Sequence, residues 1–517
     1  MIDKQHPIMT KATLLLLALI GFVAVLMTTK PGIGLYSDST YYVGLARRLL
    51  QGHGYTLLNA YGEIDPVPKY PFVYPTLLAI AGLSRIDVLA GARWLHATIL
   101  AANILMAGTI SYKLSGRSMG AAVLGGTFML ASYDTFSYHT IALSDTPFLL
   151  LLLLGFYLLG NYLEKPSWPV LLGSAAAAGL AFGTRYAGAA FVASGFFAIL
   201  LAEKRSIARR AANAILYASI GLLPMLLWVV RNMGYNRGAT GRRFGIHLSL
   251  DIEQIKELAL AFSAWASNGS RSNWDLYLRG PLIAAAVLTL VLLSMRSCVA
   301  RKERDTRRLL PLLYIGCYAA VLLCTSLFLQ ADLFLDSLRI LIPIHVFVIF
   351  LSVTMGNDLY RRLKTKPARL AFAALCLVAA VLYAKWTTDF IRDNREDGQG
   401  YASSTFTEAE LVEAVRDLPP SSRFFSNLPW PIGLHCNRSW SLLPTKIDIT
   451  TLRESDRYLF QLKAFSRALQ EGNVFIAYYK QGDDWFRFPS LEEIQALVPL
   501  RVLAETEEGT IFTAAGR

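Results

Sequence analysis

From Ala12 to Thr29 the chain runs for eighteen residues without a charged side chain. As a helix this stretch is long enough to cross roughly 30 Å of hydrocarbon. It is too long for a secretory h-region and no small-residue cleavage site follows, so it reads as a retained first span. Apolar runs of similar character recur through most of the chain. Of 517 residues, 54% are hydrophobic and only 17% charged, where soluble domains sit near a quarter charged. A polytopic α-helical membrane protein is the expectation.

The formal net charge of +13 does not point to nucleic acid, because of where the cations lie. Basic residues gather in short loops around Lys113 and Arg117, at 204–210, at 296–308 and at 361–369. These loops fall between alternate pairs of apolar runs, as the positive-inside rule requires. With the N-terminus inside, eleven spans follow: 12–29, 90–112, 120–138, 147–162, 170–184, 186–202, 211–230, 281–295, 309–329, 340–356 and 370–387. The run 70–83 is too short to span and would invert every later loop, so it is placed as an interfacial or re-entrant helix.

The polar material is then all outside, in loops 30–89 and 231–280 and in the tail. The chain is expected to divide into a membrane domain, 1–388, and a small extracytoplasmic α/β domain, 389–517. In that tail "FTEAELVEAVRD", "DRYLFQLKAFSRALQEG" and "SLEEIQAL" read as helices, "SRFFSN" and "NVFIAYYK" as strands, and "LRVLAETEEGTIFTAA" as a hairpin. No cytoplasmic loop is long enough to hold a nucleotide, and no G-x-G-x-x-G or Walker string occurs. The five cysteines form neither a disulfide framework nor a metal-ligand spacing.

Chemistry concentrates at the outer mouths of the spans. In "YSDSTYYVGLARRLLQGHGY" Asp38 opens an amphipathic helix stopped by Gly52 and Gly54. Asp145 stands at the start of another span in "LSDTPF". Each acid alone also reads as a helix cap; together they suggest one polar cavity, since a carboxylate entering a membrane usually faces a cavity or a partner. Lys69, Arg185, Arg339, Arg242 and Arg243 add cations on the same side, and Tyr41, Tyr42, Tyr55 and Tyr74 add flat amphipathic walls. A carboxylate can take a proton from an attacking hydroxyl or amine, while Arg and Lys hold a phosphate and stabilise the charge growing on it.

Five strings come in order: D-x-x-Y-Y…A-R-x-L-L-x-G-x-G-Y from Asp38, K-Y-P-x-x-Y-P-x-L-L from Lys69, L-S-D-x-P around Asp145, T-R-Y-x-G around Arg185, and R-x-L-I-P from Arg339. In these the chain resembles the GT-C glycosyltransferases, nearest to the family 39 branch of bacterial protein mannosyltransferases and aminoarabinose transferases and to RgtA-like proteins. The resemblance implies a polyprenyl-phosphate sugar donor, inverting transfer on the periplasmic or extracellular face of a bacterial inner membrane, and a glycan, lipid or protein acceptor. Asp38 matches the first-loop acid taken as base or acceptor-orienting group, and Asp145 matches the second-loop acid. Lys69 matches a basic residue that contacts the donor phosphate, and Arg185 and Arg339 match recurrent arginines. The family often has "D-E" at the first site, where this chain has Asp38 and Ser39, so no metal ligand set is assigned and a divalent metal stays only a possible cofactor. The alternative from another class is a transporter or flippase of lipid-linked glycans, which would place acids or broken helices near the midplane.

Overall fold

A computed structural model describes residues 2–83, 86–235, 240, 245, 252–300, 306–328, 337–447, 454–480 and 487–515. Helix α1 (Ile2–Thr28) carries the first apolar run. An outer segment follows with α2 (Ser37–Leu50), the short antiparallel pair β1 (Leu57–Leu58) and β2 (Ile64–Asp65), and α3 (Val73–Gly82). Helices α4 (Val88–Leu114), α5 (Met119–Ala131), α6 (Tyr133–His139), α7 (Asp145–Glu164), α8 (Trp168–Thr184), α9 (Ala189–Ala202) and α10 (Ile207–Gly234) continue the bundle. After α11 (Ile252–Ala264) come α12 (Gly280–Ala300), α13 (Thr306–Phe328), α14 (Ser337–Arg362) and α15 (Lys366–Asp397).

Among the described residues, eight helices are long and apolar enough to cross a membrane, and the chain is a multi-pass membrane protein. The other three expected spans fall on the shorter helices α5, α8 and α9. The expected span 120–138 is not one helix. It breaks at Ser132, whose backbone is extended (φ −73°, ψ 121°). There the Ser132 hydroxyl donates to the buried Asp134 carboxylate at 2.7 Å, and Asp134 also bonds Nδ1 of His345 on α14 at 2.7 Å. A carboxylate inside the bundle needs those partners, and serving them turns the chain. The expected short helix at 70–83 is α3, ten residues long and packed against α2 and α4.

The bundle core is aromatic and aliphatic. Phe156 of α7 meets Phe347 and Phe350 of α14, with Phe148 and Leu152 in the same core, and Tyr314 of α13 stacks on Phe347 at 4.2 Å between ring centres. Where a bulky ring of one helix lies against the next, the facing side chain is lost. A Cβ on Gly195 of α9 would lie 2.3 Å from the ring of Tyr217 on α10, the small-residue contact by which membrane helices pack.

Beyond α15 lie α16 (Ser404–Thr407), α17 (Glu410–Asp417), β3 (Arg423–Ser426), β4 (Ser439–Leu442), α18 (Tyr458–Gln470), β5 (Val474–Tyr479), α19 (Leu491–Leu497), β6 (Leu500–Glu505) and β7 (Gly509–Ala514). The sheet order is β4-β3-β5-β7-β6, with β3 parallel to β4 and β5 and the β7 pairings antiparallel. Alternation along the strands sends neighbours to opposite faces. Phe424, Ala477 and Ile511 pack with α17, while Phe425, Ile476 and Phe512 pack with α18 and α19. Each strand and helix expected in the tail is present, and β4 joins them unannounced.

Candidate active site

Two short backbone pairings bring the acids together. The N–H of Gly34 donates to the Thr140 carbonyl and the Gly34 carbonyl accepts from Ala142, both at 2.8 Å, while Tyr401 N–H bonds the Leu35 carbonyl at 2.8 Å. These pin the segment before α2 against the segment before α7. A side chain at Gly34 would meet the Thr140 carbonyl at 3.0 Å and Gln399 at 3.1 Å, so the approach calls for glycine. The mouths of α2 and α7 are thereby set side by side, and the Tyr42 hydroxyl bridges them, 2.8 Å from Ser144 Oγ.

Neither acid caps its helix. The N–H of Tyr36 is met by Ser39 Oγ at 3.1 Å, which leaves Asp38 for long-range partners. Arg339, at the outer end of α14, joins the two acids: its Nη1 lies 2.7 Å from Asp38 Oδ2 and its Nε 2.7 Å from Asp145 Oδ2. Arg185, in the turn after α8, pairs with the other oxygen of Asp145. Tyr70 donates to Asp38 Oδ1 at 2.6 Å, and exposed Lys69 lies with Nζ 5.4 Å over the Tyr70 ring. Burial pushes the Asp38 carboxyl up, but the charges of Arg339 and Lys69 and the hydrogen bonds from Tyr70 and Arg339 outweigh it and hold the group at about 2. The cluster is therefore two carboxylates facing three cations, with one positive charge to spare.

The aromatic residues divide by depth. Tyr41 stacks on Tyr70 at 4.7 Å and meets the edge of Trp440 on β4 at 5.3 Å, so the C-terminal sheet reaches the rim of the site. Arg47 of α2 ties down the turn between β3 and β4 by donating to the carbonyls of Gly433 and Leu434 at 3.2 and 2.9 Å. Tyr74 is fully buried behind Tyr42, its hydroxyl 2.8 Å from His96 Nε2, and serves as a wall rather than a surface. Tyr55 stands apart from the acids, in a group with Phe72, Trp228 and Arg231. Arg242 and Arg243 lie outside the described residues.

Tyr70 and Trp440 have places here that their sequence settings did not single out, as does Tyr186, whose hydroxyl donates to the Pro68 carbonyl at 2.7 Å just before Lys69. Among the described residues no three His, Cys, Asp or Glu side chains converge as a metal site would require. Arg339 bridges the two carboxylates, an arrangement that does not suit a divalent cation.

The chain matches the family model described as dolichyl-phosphate-mannose-protein mannosyltransferase over residues 76–228, less than half its length. No curated protein sequence matches it. Among solved structures it is similar to ArnT from Cupriavidus metallidurans bound to undecaprenyl phosphate, with 14% identity, TM-score 0.52, and coverage of 97% of this chain and 99% of that one. It is also similar to the oligosaccharyltransferase of Archaeoglobus fulgidus tethered with an acceptor peptide, with 11% identity, TM-score 0.53, and coverage of 89% and 69%. A third similar structure is the arabinofuranosyltransferase AftD from Mycobacteria, with 14% identity, TM-score 0.50, and coverage of 98% of this chain and 40% of that one. At such identities the likeness carries the fold, which is the GT-C fold.

Proposed function

We propose that this GT-C-fold membrane protein is an inverting glycosyltransferase that moves a sugar from a polyprenyl-phosphate donor to an acceptor at the outer face of a bacterial inner membrane. The observation that carries the reading is the Asp38–Arg339–Asp145–Arg185 cluster with Lys69 beside it. Its spare positive charge suits the single negative charge of a phosphodiester, and its place at the helix mouths suits a donor whose tail lies in lipid. ArnT, whose structure holds undecaprenyl phosphate, supports a donor of that class.

In the reaction the acceptor hydroxyl or amine attacks the anomeric carbon from the side opposite the phosphate. The new bond forms as the bond from the anomeric carbon to the phosphate oxygen breaks, and polyprenyl phosphate leaves carrying one more negative charge. Arg339, Arg185 and Lys69 stabilise that charge. The acceptor's proton passes to Asp38. At about 2 the resting carboxylate is a weak base, held so in part by Arg339. As the guanidinium turns toward the donor phosphate, Asp38 becomes a stronger one. The C-terminal unit, 389–517, stands at the rim through Trp440 and faces the acceptor.

The test uses purified protein in nanodiscs with a panel of radiolabelled polyprenyl-phosphate sugars, scoring sugar transferred or released. Asp38→Asn is expected to lower turnover by roughly 10²- to 10⁴-fold while donor binding is kept. Wild-type protein that binds the donors yet never breaks the sugar–phosphate bond, with any acceptor mixture, would instead favour transport of the intact lipid.

A further inference from the structure

We infer that Tyr186 and Arg231 are positioning residues: they clamp the strap Pro66–Tyr70 from outside and so set Lys69 and Tyr70 against Asp38. The strap has the sequence Pro-Val-Pro-Lys-Tyr, and Pro71 follows it. Three prolines in six positions leave few N–H groups, so the strap can join neither a sheet nor a helix. Its shape must be imposed by other elements.

Val67 shows that it is imposed. This buried, β-branched residue has φ +46°, a left-handed conformation that branched side chains rarely adopt. Such a conformation persists only where its surroundings over-determine it. The Val67 N–H is met by Asp65 Oδ1 at 3.1 Å, and the Val67 carbonyl accepts from the Tyr70 N–H at 3.4 Å. The flanking carbonyls are held from two separate helical elements. Arg231, in the last turn of α10, donates to the Pro66 carbonyl at 3.2 Å and to the Tyr55 carbonyl at 2.5 Å. Tyr186 donates to the Pro68 carbonyl at 2.7 Å.

The arrangement has a consequence for the site. Tyr186 follows Arg185, the partner of Asp145, so one turn supplies a cation to the cluster and fixes the strap that supplies another. Arg231, ringed by Trp228, Tyr235 and Tyr55, holds the strap's start. Lys69 and Tyr70 come immediately after the clamped carbonyls. The clamp residues reach the acids through the strap, by the Pro66 and Pro68 carbonyls.

The kinetic side of this inference rests on the donor-phosphate reading, so the experiment has two arms. The first is amide hydrogen exchange on the full chain in nanodiscs, following Val67, Lys69 and Tyr70, the three amides between Pro66 and Pro71. Exchange there is expected to rise in Tyr186→Phe and in Arg231→Lys, with α7 and α14 unchanged. Unaltered exchange in both variants overturns the clamp. The second arm measures the affinity for undecaprenyl phosphate. Tyr186→Phe is expected to weaken it roughly two- to tenfold, the worth of one neutral hydrogen bond. In a Lys69→Met background the same change is expected to add less than about twofold, because it acts through the residue already lost. Full multiplicative effects would mean that Tyr186 acts independently of the strap and would overturn its positioning role. Wild-type protein that binds no undecaprenyl phosphate would sink the donor reading, and the exchange arm would still decide the clamp.

Discussion

Asp38 and Asp145 share one guanidinium, and that sharing fixes what each acid can do. Buried carboxylates stay ionised only where cations and donors outweigh the cost of burial, and at Asp38 the donors include Tyr70. Because its folded value is depressed to about 2, the contacts of ionised Asp38 contribute stability fully present above its unfolded value, near 3.9. That contribution is lost as pH falls toward about 2. Replacing Tyr70 by Phe removes one lowering contact and is expected to move the acid limb of stability upward, by up to about one pH unit. Thermal unfolding between pH 5 and 2 reads this; coincident limbs in the two proteins would deny Tyr70 its part. The acids, Lys69, Arg185 and Arg339 were legible because each sits at the mouth of an apolar run, where charge is conspicuous. Tyr70 was not, although it stands inside a motif, since its partner lies 32 residues away and no local period announces the contact.

Helices were the easiest elements to read, and the reasons for their ends were harder. Helix α2 stops as its glycines require, with Gly52 at φ +79° and Gly54 at φ +68°. The break at Ser132 was hidden inside an apolar run, and its cause, Asp134 bonded to His345, is a contact between α6 and α14 that sequence spacing does not show. Strand β4 escaped because its Ser-Trp-Ser-Leu alternation lasts only four residues, too short a run to announce a strand. Close helix packing is equally silent. Gly195 reads as one small residue among many, yet a methyl there would press into the buried Tyr217 ring. Gly195→Ala is expected to destabilise the α9–α10 pair by about 1–3 kcal/mol. A thermal shift of the purified protein in detergent would register it, and an unchanged midpoint would show that the pair relaxes freely.

At the scale of the whole molecule the two ends of the helix bundle differ in chemistry. Asp38, Asp145, Arg185, Arg339 and the C-terminal sheet meet at one face. The loops at the other ends of the helices carry the basic residues and are stapled there: Lys113 to Glu164 at 3.2 Å, Asn357 to the Ser115 carbonyl at 3.0 Å, and Arg361 to the Gly116 carbonyl at 3.4 Å. By the positive-inside rule that second face is expected to lie in the cytoplasm, and the proposed membrane-borne donor rests on this, since the acids would then face a compartment without nucleotide sugars. In a background with the five cysteines replaced, a cysteine at exposed Arg467 on α18 is expected to react with an impermeant maleimide in intact spheroplasts. A cysteine at exposed Lys165, after α7, is expected to react only once the membrane is permeabilised. The reverse pattern would put the cluster in the cytoplasm, where a soluble nucleotide sugar could reach it, and the case for a polyprenyl-phosphate donor would lose its physical basis while the fold and the ion cluster stood unchanged.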